Sequence, residues 1–240
     1  MRCPKAPVRD STNRRFEVER YMNRRHSVIL AGLALLLAAT PLSGQDLEAA
    51  CEAIAGSSVG AWTEHRLASP NGELKVRFAL VSRRGATWYE VQSQTHAGTS
   101  ILQLRVPGFP FTPAEIEEVV MKTGATPAMR VPDAMVDEYR VSAQAQPLAD
   151  IRAECRKAEV VGREEVTVAA GTFQTTRLRF PSSGGEAWVS DRVPFGIVRG
   201  DIPGQGTTEL TAHGTGAVSA ITETPLSFGA AGGARSDSGQ

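Results

Sequence analysis

Few residues in this 240-residue chain have the types and spacing that chemistry requires. Gly56-Ser57-Ser58-Val59-Gly60 fits the pattern G-x-S-x-G, and Ser58, Asp150 and His213 follow the chain order of a hydrolase triad. A nucleophile elbow must follow a strand and open a helix. Here a helical pattern precedes the motif and a strand pattern follows it, so the stretch reads as a Gly/Ser loop. His65, His96 and His213 are too far apart in sequence for a local zinc-ligand pair and read as surface or turn residues. Glu117-Glu118 and Glu164-Glu165 are adjacent pairs whose side chains point apart on a helix or strand, so neither makes a converging acid/base dyad. No phosphate loop and no dinucleotide fingerprint occurs. The expectation is a protein with no catalytic residue, no metal ligand set and no cofactor.

Cysteine chemistry is more suggestive. Cys3 falls ahead of an export leader, which leaves Cys51 and Cys155. In an oxidising compartment such a pair suggests one disulfide; the alternative is two separate buried thiols. A bridge would close a loop of about a hundred residues, for which chain entropy predicts roughly 4 kcal/mol of stabilisation.

The leader is basic Met22–Arg25, then the apolar run Val28–Ala39, then a small-residue exit at Ser43-Gly44. Those are the parts of a secretory signal over residues 22–44, with cleavage expected near Gly44. The run is short of the ~20 residues of a membrane-spanning helix, and no second run follows, so no transmembrane segment is expected in the mature chain. Residues 1–21 are basic and unpatterned; they read as a mis-assigned start ahead of Met22 or as a disordered extension. Eight of the 26 basic residues lie before Gln45, against three of the 26 acidic ones, so the remainder carries a net charge of −5. That balance argues against a nucleic-acid partner. The expected location is periplasmic or secreted.

Positioning elements follow from periodicity. Asp46–Ala55 places Leu47, Ala50, Cys51 and Ile54 on one helical face. Trp62–Leu67 reads as a strand. In Glu73–Leu80, Leu74, Val76, Phe78 and Leu80 alternate with more polar residues, so one face meets a core. Ala86–Ser93 carries Tyr89 and Val91, and Ser100–Val106 carries Leu102, Leu104 and Val106. Short turns between these runs imply an antiparallel meander. Thr112, Pro113 and Glu115 form a capping-box pattern that predicts a helix to Gly124, with Ile116, Val119 and Val120 as its stripe. Residues 125–150, with Pro127, Pro132 and Pro147, predict loop and irregular pieces. Further strands are expected at Glu159–Val168, Phe173–Phe180, Glu186–Ser190, Ile197–Arg199 and Thr207–Ala212. The sum is an α+β domain over residues 45–226 with nine or ten strands and two or three helices. The Gly/Ala/Ser-rich tail 227–240 is expected to be disordered.

EAWVSDRVPFGIVRG, residues 186–200, reads as strand, corner, strand. Pro194 cannot donate to a ladder, and Gly196 permits a backbone other residues resist. Gly162, Ala170-Gly171-Thr172-Phe173, Trp188-Val189-Ser190 and Val193-Pro194-Phe195-Gly196 together resemble the C-terminal half of the periplasmic lipoprotein-carrier (LolA/LolB-like) group and its exported relatives. The resemblance covers about 70 residues. It implies a curved, unclosed antiparallel sheet, a half-barrel wrapped around helices, whose concave face holds acyl chains or lipoprotein in the better-known relatives. On that reading Phe78, Leu80, Tyr89, Leu102, Leu104 and Trp188 are the candidate ligand-lining residues. The alternative is that they only fill a core, in a structural or protein-interaction module of the envelope.

Overall fold

In the computed structural model, residues 44–70, 72–96, 98–144 and 150–227 are described. The leader, the 1–21 extension and residues 228–240 lie outside them, apart from Gly44. Among the described residues there are three α-helices: α1 (Gly44–Ala55), α2 (Asp133–Gln144) and α3 (Ile151–Lys157). The strands are β1 (Trp62–Ser69), β2 (Gly72–Arg83), β3 (Ala86–Thr95), β4 (Gly98–Arg105), β5 (Glu118–Thr123), β6 (Met129–Arg130), β7 (Glu159–Val168), β8 (Gly171–Phe180), β9 (Gly185–Val189), β10 (Ile197–Ile202), β11 (Gly206–Gly214) and β12 (Leu226–Ser227). They form one unclosed sheet in the order β12-β6-β5-β4-β3-β2-β1-β11-β10-β9-β8-β7. Every pairing is antiparallel except the short β12–β6 contact, where Ser227, the first residue of the expected tail, pairs with Arg130. The fold is thus the α+β open curved sheet that the sequence implies, with twelve strands rather than nine or ten.

The extra strands are β5, β6 and β12, and β5 stands where a helix was expected. Thr112 and Glu115 do make the capping contacts: the Thr112 amide donates to Glu115 Oε2 at 2.7 Å. The turn they start is a single 3₁₀ turn over Pro113–Glu115, and the chain is extended again at Ile116. Val119 and Val120 explain the outcome. Both are buried, Val119 against Leu104 and Val120 beside Trp88 and Val81. A strand sends consecutive side chains to opposite faces, and here both faces are covered; a helical stripe would bury them together on one side.

Residues 133–144, expected to be irregular, form α2. Its one buried residue is Val136, so no apolar period announced it. Pro132 supplies the start: its carbonyl accepts from the amides of Met135 and Val136. Helix α3 is capped by Asp150, whose Oδ1 accepts from the Ala153 amide at 2.9 Å. Arg156 and Lys157 complement its C-terminal dipole. Cys155 on α3 is disulfide-bonded to Cys51 on α1, with an S–S distance of 2.07 Å.

Cross-strand register fixes the two faces of the sheet. Ala187, Gly200, Thr208, Leu67 and Leu74 are successive partners, so they share a face. Leu178 and Ala187 on that face pack against Ala50 and Ile54 of α1 and Cys155 of α3. Leu80, Tyr89, Leu104 and Val119, also successive partners on it, pack against Val136 of α2. All three helices therefore cover one face from its two ends. The opposite face carries Val81, Trp88 and Val120, and the segment after β11 crosses it with Ile221 fully buried among them.

The 186–200 stretch shapes this arrangement. Phe195 and Gly196 both have positive φ, 60° and 74°. The Phe195 amide donates to Ser57 Oγ at 2.7 Å, which ties the corner to the loop after α1. Its ring then enters the cluster around Leu80 and Leu104.

Candidate functional site: an apolar row on the helix-bearing face

Two rows of apolar side chains run across the strands on the helix-bearing face. The inner row is Leu80, Tyr89, Leu104 and Val119. It is roofed by Phe109, Phe111, Phe195 and Val136. Ring centroids lie 5.7 Å apart for Tyr89 and Phe109, 5.2 Å for Tyr89 and Phe111, and 4.8 Å for Phe109 and Phe195. The Tyr89–Phe109 pair is stacked and the other two are edge-to-face; rings at these separations are in stabilising contact, so this end is packed core. Burial pushes the Tyr89 hydroxyl above its ordinary range.

The outer row is Phe78, Val91, Leu102, Met121 and Met129, each the direct partner of the next. It crosses β2 to β6, about 19 Å at the usual strand spacing. Phe78, Val91 and Leu102 are half-buried, and Met121 is 51 % exposed. Met135 on neighbouring α2 is 53 % exposed. An open apolar strip therefore borders the packed inner row, and Phe78 joins the two by stacking on Tyr89 at 6.2 Å.

Five of the six sequence-derived lining candidates, Phe78, Leu80, Tyr89, Leu102 and Leu104, meet in this one region. Trp188 does not. It pairs with Arg177 and Arg199 on the opposite face. Each guanidinium carbon lies 5.0 Å from the indole centroid, and the indole N–H donates to Glu164 Oε1 at 2.6 Å. Its neighbours Ala187 and Val189 are the residues of β9 that face the helices, and the strand alternation turns Trp188 away from them.

His65 departs from the surface role expected of it. β1 lies inside the sheet between β2 and β11, and His65 is only 4 % exposed. Its ring meets Phe78 edge-on at 5.8 Å. Desolvation lowers its pKa to about 4, against a smaller opposing pull from Glu64. Thr63, two residues earlier, is fully buried and stands opposite Phe78. His96 is exposed in a turn, and His213 meets Phe173 edge-on at 5.7 Å.

The triad-order residues have separate roles. The Ser58 carbonyl closes a turn with the Ala61 amide, Asp150 caps α3, and His213 stands in β11. A concavity of about 500 Å³ lies elsewhere, between Glu64, Arg66, Lys75, Gln94 and Thr211. Its charges are paired among themselves: Arg66 reaches Glu73 at 3.3 Å and Lys75 reaches Glu64 at 2.8 Å.

Sequence reasoning missed Met121, Met129, Phe109, Phe111 and Phe195 as neighbours of the site. Val91 and Leu102 were visible in the strand alternations. Met121 was hidden by the helix expected over residues 113–123, and the three phenylalanines sit in loops without period.

No family model matches the sequence. No curated protein matches it either. Among solved structures, a candidate lipoprotein from Parabacteroides distasonis ATCC 8503 aligns at 13 % identity and TM-score 0.30, over 65 % of this chain and 96 % of that one. A candidate exported protein with a YmcC-like fold from Bacteroides fragilis NCTC 9343 aligns at 13 % identity and TM-score 0.29, over 66 % and 97 %. MucB, in the MucA/MucB complex of Pseudomonas aeruginosa, aligns at 15 % identity and TM-score 0.35, over 73 % of this chain and 58 % of that one. Likenesses this distant assign neither a family nor an activity.

Proposed function

We propose that this chain is an exported, non-enzymatic protein that binds an acyl chain, as a free lipid or on a lipoprotein, along the outer row of its helix-bearing face. In this reading residues 22–44 are the removed leader and the folded body works in the periplasm or outside the cell. The observation that carries it is the in-register row Phe78-Val91-Leu102-Met121-Met129, apolar over five strands and partly open to solvent. Burying such a row under an acyl chain gains roughly 25 cal/mol per Å² of apolar surface. Native mass spectrometry and solvent extraction of the purified chain test it, together with titration by the neutral apolar dye 1-N-phenylnaphthylamine. Co-purifying lipid and saturable dye binding that Leu102→Asp abolishes are expected. A chain that yields no lipid and binds no dye overturns the reading.

The alternative is an envelope interaction module without a ligand cavity. The ring-on-ring packing of Phe109, Phe111 and Phe195 over Tyr89 favours it, because those rings already occupy the inner end. In that case Met121 and Met135 would meet a partner protein, and the same extraction would recover no lipid.

A further inference from the structure

Beyond Phe78 the outer row passes onto buried polar groups of β1 before it reaches half-buried His213 of β11. Next to Phe78 in the row stands Thr63 of β1, fully buried, and His65 follows on the same face at 4 % exposure. Alternation separates their Cβ atoms by about 7 Å. Among the described residues, neither Thr63 Oγ1 nor His65 Nδ1 has a hydrogen-bond partner. Leaving a buried polar atom unpaired costs about 1–3 kcal/mol, and valine and phenylalanine would fill similar space without that cost. Their cross-strand neighbours are Phe78 and Val76 of β2 and His213 and Leu210 of β11.

We infer that Thr63 and His65 form a head-group subsite at the buried end of the apolar row, taking the uncharged hydroxyl of a fatty alcohol or of a similarly hydroxylated lipid. The inference rests on the acyl-chain reading and specifies the ligand that reading leaves open. A threonine hydroxyl both donates and accepts, and a neutral imidazole Nδ1 does one or the other according to tautomer. A ligand hydroxyl can serve both at once. An ether oxygen can only accept. A carboxylate would be desolvated beside two groups that carry no charge at neutral pH, a strongly unfavourable exchange. His65 stays neutral there because burial disfavours its protonated form.

Displacement of bound 1-N-phenylnaphthylamine at pH 8 by 1-dodecanol, dodecyl methyl ether and dodecanoate tests the subsite. On the wild-type chain the alcohol is expected to compete about tenfold better than either of the others, the effect of one well-made hydrogen bond to a buried partner. Thr63→Val and His65→Phe should each remove most of that preference, bringing the alcohol close to the ether. Equal competition by alcohol and ether, or tightest binding by dodecanoate, overturns the subsite and leaves the acyl-chain reading intact. So does an alcohol preference that survives in both variants. Failure of the dye and all three ligands to bind overturns both. The wild-type series decides by itself if a variant does not fold.

Discussion

Gly196 presses against the last turn of α1: a Cβ built on it would lie 2.9 Å from the Ile54 amide nitrogen and 3.0 Å from the Ile54 Cα. The contact joins the corner after β9 to the helix that carries one half of the disulfide. Gly196 also has φ +74°, so a side chain there meets backbone strain and a backbone collision together. Gly196→Ala is expected to cost about 3 kcal/mol or more in urea unfolding. Gly184 has φ +65° with open space around it, so Gly184→Ala should cost only about 1 kcal/mol. Equal losses at the two sites would show that the helix contact adds nothing.

The Cys51–Cys155 bridge spans 104 positions of sequence and pins α1 to α3. Chain entropy then predicts a loss of about 4 kcal/mol on reduction. Urea midpoints with and without a reducing agent measure it. A Cys51→Ser/Cys155→Ser double variant should match the reduced wild type, and a midpoint that ignores reduction would refute the entropic role.

His65 makes stability depend on pH in a definite window. Its folded pKa near 4 lies below the ordinary 6.5, so the unfolded chain takes up the proton first. The stability is fully present above pH 6.5 and is lost as pH falls towards 4. Between pH 7 and pH 4.5 the wild type should lose about 2–3 kcal/mol more than His65→Phe. Parallel stability-versus-pH curves for the two would place the imidazole in water.

The segment after β11 is clasped to the sheet by Glu90. The Ala220 amide donates to Glu90 Oε2 at 3.0 Å, and Gln103 Nε2 donates both to that oxygen at 2.6 Å and to Ser219 Oγ at 2.7 Å. Ile221 fills the site beside this polar knot. Ile221→Ala should cost about 2–4 kcal/mol and raise protease cleavage within residues 215–225. Unchanged protection there would mean that the polar contacts hold the segment without the isoleucine.

The sequence by itself determined several elements whose signal is local. The helical face of α1, the alternations of β2 and β4, the hairpin turns and the strand-corner-strand of residues 186–200 could all be read from neighbouring residues. Tertiary structure decided what lies on the two faces. Val119 and Val120 became strand because one face is covered by α2 and the other by the segment around Ile221, neither of which is near them in sequence. α2 buries Val136 alone, too little for a period to show. In sequence His65 read as a surface or turn residue and Trp188 as a candidate lining residue. Register and sheet order sent Trp188 between two arginines on the face opposite the helices and His65 into the interior beside Phe78. The physical reason is that a period of two fixes which residues share a face, while the choice of buried face is made by whatever distant segment comes to rest on it.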